Sequence, residues 1–202
     1  MLKLAQTGVE TNWLIITEAK QGGLWSEDFL AERQKEIQSA KKMLGVNRVF
    51  TLGFETTKLD VQPLGTIIQA IANILLDCKP EVVFIPNHSD IHSDHKIGFE
   101  AAYSACKNFR APFIEKVYMY ECLSETEYAP PFSQFSFTPN TFIDISDQLL
   151  GKIECMKIFK TEISKAPFPR SPEIITALAS VRGSRIGVQY AEAFSLIFSS
   201  NL

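Results

Sequence analysis

The residues able to do chemistry crowd into one short segment. The chain has three histidines, His88, His92 and His95, and all fall in the run Asn87-His88-Ser89-Asp90-Ile91-His92-Ser93-Asp94-His95. Imidazole is the commonest metal ligand and the usual acid/base group near neutral pH. Asp90 and Asp94 stand among the rings, and a carboxylate that accepts the second N–H of an imidazole fixes its orientation. One histidine in a polar loop reads as a solvated side chain, and Asp94 alone reads as a helix cap. Three histidines interleaved with two aspartates read as a site. Zinc is the default ion for imidazole and carboxylate donors, with iron or another divalent ion able to substitute. A catalytic zinc takes three protein ligands and keeps one open position. His92 and His95 are close neighbours in sequence, and the loop alone does not fill such a site. At least one ligand is expected from elsewhere, yet the chain holds no fourth histidine.

Alternating strands and helices must position this loop. Residues 13–16 read as a buried strand and 26–44 as a helix capped by Ser26, with Glu27 and Asp28 in its first turn and Gly45 at its end. Leu30, Ile37 and Leu44 fall on one face of that helix. A second strand is expected at 48–54 and a second helix at 64–76. Residues 81–86 form a third strand, whose continuous apolar run suggests burial on both faces, as in a parallel sheet. The histidine loop leaves the carboxyl end of this strand and enters a helix over 94–107. A strand at 117–120, a Pro- and Phe-rich connection over 129–140, helices near 147–163 and 171–181 and a last strand at 194–198 complete the reading. Such alternation predicts an α/β chain with a mainly parallel sheet and right-handed crossovers. Ligands bind beyond the carboxyl ends of such strands, where the histidines are.

The bulk composition narrows the function. The 202 residues are 46% hydrophobic, enough for one sizeable core, and no repeat or linker marks an internal boundary, so a single domain over 1–202 is expected. The net charge is −3, with no basic stripe, which argues against nucleic acid. No apolar run reaches the length of a membrane span, and no secretory signal opens the chain. Cys78, Cys106, Cys122 and Cys155 are widely spaced and read as free thiols in a reducing cytoplasm. Gly22-Gly23 reads as an ordinary turn. A nucleotide-binding reading finds no glycine-rich phosphate loop to support it.

The segment His92-Ser93-Asp94-His95 resembles the His-x-Asp-His signature of the PIG-L/LmbE-like zinc-dependent N-deacetylases. The resemblance runs along nearly the whole chain. It includes Leu14-Ile15-Ile16-Thr17, Arg33-Gln34-Lys35-Glu36 with Leu44-Gly45-Val46, and Leu52-Gly53-Phe54 with Leu59-Asp60. Toward the end, Pro169-Arg170-Ser171, Arg182-Gly183-Ser184, Gly187 and Tyr190-Ala191-Glu192-Ala193-Phe194 are similar to the family's bacterial branch. The resemblance implies a Rossmann-like three-layer α/β/α fold and hydrolysis of an N-acetyl group on an amino sugar or sugar conjugate. It implies that His95 is a zinc ligand, that His92 stabilises the oxyanion or protonates the leaving amine, and that Asp94 orients His92. Arg33 is implied as a substrate contact, Arg182 and Tyr190 as structural, and His88 and Asp90 as loop or rim residues, Asp90 behind a ligand. A homo-oligomer is compatible with the family.

One departure is large. The family's His-Pro-Asp-Asp motif, which carries two further metal ligands and the aspartate base, is absent. Residues 1–8 resemble the end of the helix that follows that motif. The sheet is therefore expected to lack its first, central strand, either because Met1 is a misassigned start or because the gene is shortened. The resemblance gives zinc the task of polarising the amide carbonyl and activating a water. With His95 as its single ligand, the chain alone is expected to be inactive. The competing expectation is a non-catalytic remnant that serves as a binding or scaffold protein.

Overall fold

A computed structural model describes residues 1–22 and 25–200. The elements run in the order α1 (Leu2–Gln6), β1 (Asn12–Glu18), α2 (Glu27–Leu44), β2 (Arg48–Glu55), α3 (Leu64–Cys78), β3 (Val82–Pro86), α4 (Ser93–Ala105), β4 (Lys116–Tyr120), β5 (Thr141–Asp144), α5 (Leu149–Ile158), α6 (Pro172–Ser184) and β6 (Ala191–Ser199). Short 3-10 turns lie at Leu59–Val61, Thr126–Tyr128 and Ser133–Phe135. The chain forms two compact units. Residues 1–53 and 143–192 make the first, and residues 54–142 and 193–202 the second.

In the first unit, α2 begins and ends where its sequence dictates. The Ser26 hydroxyl accepts from Phe29 N, Glu27 and Asp28 occupy the first turn, and Gly45 closes the helix at φ +67°. That left-handed position suits glycine, which has no Cβ to clash. Buried Ile37 and Ala40 of α2, Leu149 and Ile153 of α5, and Ile175 and Ala179 of α6 make up the core. Ser171 is fully buried and caps α6 by accepting from Ile174 N. The expected turn at Gly22-Gly23 is seen at Gly22, with φ +86°, whereas Gly23 lies outside the described residues.

Gly183 is the tightest small residue of this unit. A Cβ there would lie 2.6 Å from the carbonyl oxygen of Val188 and 2.8 Å from that of Gln189. Alanine would gain about 1 kcal/mol of helix propensity. A backbone clash costs more, typically about 1–3 kcal/mol. Gly183→Ala is therefore expected to lower the unfolding free energy by about 1–2 kcal/mol, read as an earlier urea midpoint. An unchanged or later midpoint would count against this packing.

In the second unit, Ile67, Ile71 and Leu75 recur at helical spacing along α3 and are buried. They face α4, whose buried Ala101, Ala102 and Ala105 allow a close approach. The sheet holding the histidine loop has the order β3-β4-β6-β5. Strands β3 and β4 are parallel, with Ile85 opposite Met119 and Pro86 opposite Tyr120. Strand β6 runs antiparallel to β4, with a bulge between Val117 and Tyr118. The other sheet has two strands, β1 and β2.

The mixed α/β character is as expected, but three details differ. The four-stranded sheet is mixed rather than mainly parallel, because β6 returns antiparallel to β4. Strand β5 lies next to β6, just past the connection read as irregular, and Asn140 N bonds to Phe194 O where the two meet. Strand β3 is not buried on both faces: it ends the sheet order, and Val82 and Phe84 are 40% and 43% exposed. Phe84 stacks on its register partner Tyr118, with ring centroids 5.2 Å apart. Its apolar character therefore reflects a cross-strand aromatic pair.

The four cysteines are unbridged thiols. Cys106 is buried, and burial pushes its pKa up to about 12. Cys155, also buried, is raised as well, desolvation outweighing the opposing pull of the N-terminal amine. No helix among the described residues is long and apolar enough to cross a membrane.

Candidate active site

The loop begins where β3 ends at Pro86, and α4 begins at Ser93. His92 is the N-cap of α4. Its Nδ1 accepts a hydrogen bond from Asp94 N at 3.1 Å. A neutral imidazole that accepts at Nδ1 carries its proton on Nε2. In that form Nε2–H is the ring's donor.

His95 takes the opposite form. Its Nδ1 lies 2.8 Å from Asp90 Oδ2. A carboxylate only accepts, so the Nδ1 of His95 is the donor, and in the neutral ring Nε2 then keeps a lone pair. The two rings are 5.3 Å apart, centroid to centroid, and inclined by 31°. The loop thus presents an N–H donor and a nitrogen lone pair side by side.

The two aspartates meet the rings in different ways, Asp94 through its backbone and Asp90 through its carboxylate. Asp94 fixes His92 through its backbone N–H, not its carboxylate. That carboxylate is buried and accepts from Thr57 N at 2.7 Å and Leu59 N at 3.2 Å. The physical reason is the helix geometry: the residue two past the cap has its side chain turned back along α4 toward the segment that follows β2. Asp90, read as a loop or rim residue behind a ligand, is fully buried and orients His95. Its second oxygen accepts from the Thr126 hydroxyl at 2.7 Å.

The remaining loop residues make contacts within the second unit. His88 packs against Phe99 of α4, with centroids 5.7 Å apart. The buried Ser89 hydroxyl donates to Phe135 O at 2.6 Å and accepts from Asn87 Nδ2 at 2.9 Å. Beside the loop, burial raises the pKa of Tyr120, and Cys122 and Asp90 add to the shift, so its phenol stays protonated. An open, largely apolar cavity of about 350 Å³, lined by Ile68, Ala72, Leu75, Ala105 and Arg110 among others, shares no residue with the histidine loop.

Arg33, expected to touch substrate, belongs to the first unit and is well partnered within it. Its guanidinium bonds Glu162 at 2.6 Å and Thr161 at 2.9 Å, and pairs with Glu36 at 3.4 Å. Its Cζ lies 5.4 Å from the ring centroids of both Phe29 and Phe159. Two carboxylates and two aromatic faces make it an anchor between α2 and the segment after α5. Arg170 joins the same carboxylate of Glu162 at 3.0 Å, so the Pro-Arg-Ser segment is part of this anchor.

Zinc was expected at His95. Among the described residues no group of three or more His, Cys, Asp or Glu side chains could hold a metal ion. The donor chemistry at His95 suits a ligand, because a carboxylate behind the ring leaves Nε2 bare. One imidazole does not make up the three donors that a catalytic zinc uses. The described residues alone therefore do not fit the ion.

Comparison with known proteins places this geometry in context. Over 208 aligned residues the chain is 22% identical to the diacetylchitobiose deacetylase of Thermococcus kodakarensis, covering 96% of this chain and 75% of that protein. It is 25% identical to the uncharacterized deacetylase YaiS of Escherichia coli K12, covering 80% of each. Among solved structures, the conserved protein TT1542 of Thermus thermophilus superposes with a TM-score of 0.78 at 23% identity, covering 100% of this chain and 87% of that one, a likeness of fold. The family model described as "PIG-L: GlcNAc-PI de-N-acetylase" matches residues 1–106, more than half of the chain. The protein carrying this histidine loop therefore belongs to the PIG-L de-N-acetylase family.

Proposed function

We propose that this chain carries part of the machinery for hydrolysing an N-acetyl group on an amino sugar or sugar conjugate. The observation that supports this most is the pair of neighbouring histidines after β3 whose Nδ1 atoms have opposite partners, a backbone N–H for His92 and a carboxylate for His95. Such a reaction asks for a donor aimed at the developing oxyanion and a lone pair for a Lewis acid. His92 Nε2–H is the donor. Preorganised donors of this kind typically contribute roughly 3 kcal/mol to the transition state. His95 Nε2 is the lone pair and would serve as one ligand of a zinc or other divalent ion, which would need further donors. Asp94 positions His92 by its backbone N–H and ties the start of α4 to the segment after β2. Arg33 enters this reading as the substrate contact that the resemblance implies, with its guanidinium held by Glu162 and Thr161.

Each unit is assembled from two separated stretches of chain, so we read the 202 residues as one domain, Rossmann-like and three-layered. The reading places the enzyme in the cytoplasm. Its partner is a small acetylated sugar or sugar conjugate, with neither nucleic acid nor a membrane span.

A second reading follows from the missing donors. With one oriented imidazole, the 202-residue chain alone is inactive and serves as a binding or scaffold protein. Zinc titration and acetate release from N-acetylglucosamine conjugates separate the two. The enzymatic reading expects zinc binding and acetate release that both fall at least tenfold in His95→Ala. No zinc binding and no acetate release would leave the second reading. Equal zinc binding by the His95→Ala variant would remove His95 from the metal site.

A further inference from the structure

We infer that Thr126 is a positioning residue that holds His95 in the tautomer with Nε2 bare. Three observations lead there. The Thr126 hydroxyl is a relay, accepting from Cys122 N at 2.7 Å and donating to Asp90 Oδ1 at 2.7 Å. With Cys122 N–H occupying an acceptor site, the hydroxyl proton is directed to Asp90. Asp90 is fully buried and has its other oxygen on His95 Nδ1 at 2.8 Å. A buried carboxylate is costly unless paired and hydrogen-bonded, so each of these two bonds fixes where the other points. Finally, Ile91 N bonds to Glu125 O at 3.2 Å, tying the histidine loop to the residue before Thr126.

The relay Cys122 N–H, Thr126 O–H, Asp90 carboxylate, His95 Nδ1–H therefore runs in one direction and ends on the ring. Thr126 lies in the 3-10 turn Thr126–Tyr128, so the state of His95 depends on that turn being formed. Without the hydroxyl, Asp90 loses one of its two side-chain partners and is free to rotate off the ring. The value of this lock to catalysis rests on the deacetylase reading above, whereas the tautomer itself does not.

The test uses the full 202-residue chain, free of metal, and long-range ¹H–¹⁵N NMR of its histidine rings. The wild type should show His95 protonated at Nδ1 and His92 at Nε2. Thr126→Val keeps the shape and removes the hydroxyl. It should shift the His95 tautomer ratio toward Nε2–H by roughly tenfold, the usual effect of losing a hydrogen bond to a charged group. Thr126→Ser should restore the wild-type ratio, and His92 should be unchanged in both. A His95 ratio untouched by Thr126→Val would overturn the inference, reducing Thr126 to a structural role. If Thr126→Val does not fold, the wild-type spectrum decides: His95 protonated at Nε2 would equally overturn it. A Thr126-dependent ratio supports the lock even in a chain that releases no acetate, so failure of the catalytic reading is seen separately.

Discussion

Asp94→Ala should lower the unfolding free energy by about 3–4 kcal/mol, the largest loss of stability expected for a single change at this loop. The carboxylate is buried and accepts from two backbone donors, Thr57 N and Leu59 N. Hydrogen bonds to a charged group contribute about 1.5–3 kcal/mol each, and removing the acceptor strands both donors. Two further terms act in the same direction. Thr57 sits at φ +63°, a left-handed conformation that threonine adopts at a cost, and the Asp94 bond helps to hold it there. A negative charge in the first turn of α4 also favours the helix dipole. Asp94→Asn keeps one carbonyl acceptor and loses the charge, so it should cost about half as much. Urea melts of the three proteins check the order. An alanine variant as stable as the wild type would show that the clamp between α4 and the segment after β2 is not needed.

His92→Asn should separate the two roles of His92. The ring caps α4 through Nδ1, which in the neutral ring leaves Nε2–H as its donor. Asparagine is among the best N-caps, so the variant should stay within about 0.5 kcal/mol of the wild type in stability. It has no donor at the position of Nε2. In a zinc-loaded preparation that releases acetate, turnover should fall by about 10²–10³-fold, the usual effect of losing one oxyanion donor. His92→Ala should lose turnover to the same extent and about 1 kcal/mol of stability as well. Turnover retained in the asparagine variant would move the oxyanion donor elsewhere.

Much of this could be read before any coordinates. The caps of α2, Ser26 and Gly45, are local chemistry, and both are used as read. The helix expected at 64–76 is α3, and its buried Ile67, Ile71 and Leu75 were not singled out beforehand. The location of the histidine loop followed from strand and helix signals on either side. What was not legible depends on residues far apart in the chain. The direction of β6 is set by pairing with β4, more than 70 residues earlier, and no local pattern encodes it. Strand β5 is four residues long and too short to show an alternation. Asp90 and Asp94 are equivalent by type and spacing, and only burial against Thr126 on one side and Thr57 on the other tells them apart. Thr126 itself carries no signal, being an ordinary threonine in a loop. Arg33 was ambiguous for a similar reason: its aromatic and acidic neighbours after α5 come from the far end of the chain.

The protonated state of two buried thiols has a practical consequence. Burial holds the Cys106 pKa well above that of a free thiol, so the side chain is protonated at pH 8. Alkylating reagents attack the ionised form, so this position is silent while the chain is closed. Cys155 is shielded in the same way, and it lies in the first unit whereas Cys106 lies in the second. Each unit therefore carries its own native reporter of opening, and the order in which the two thiols become labelled is the order in which the two units unfold.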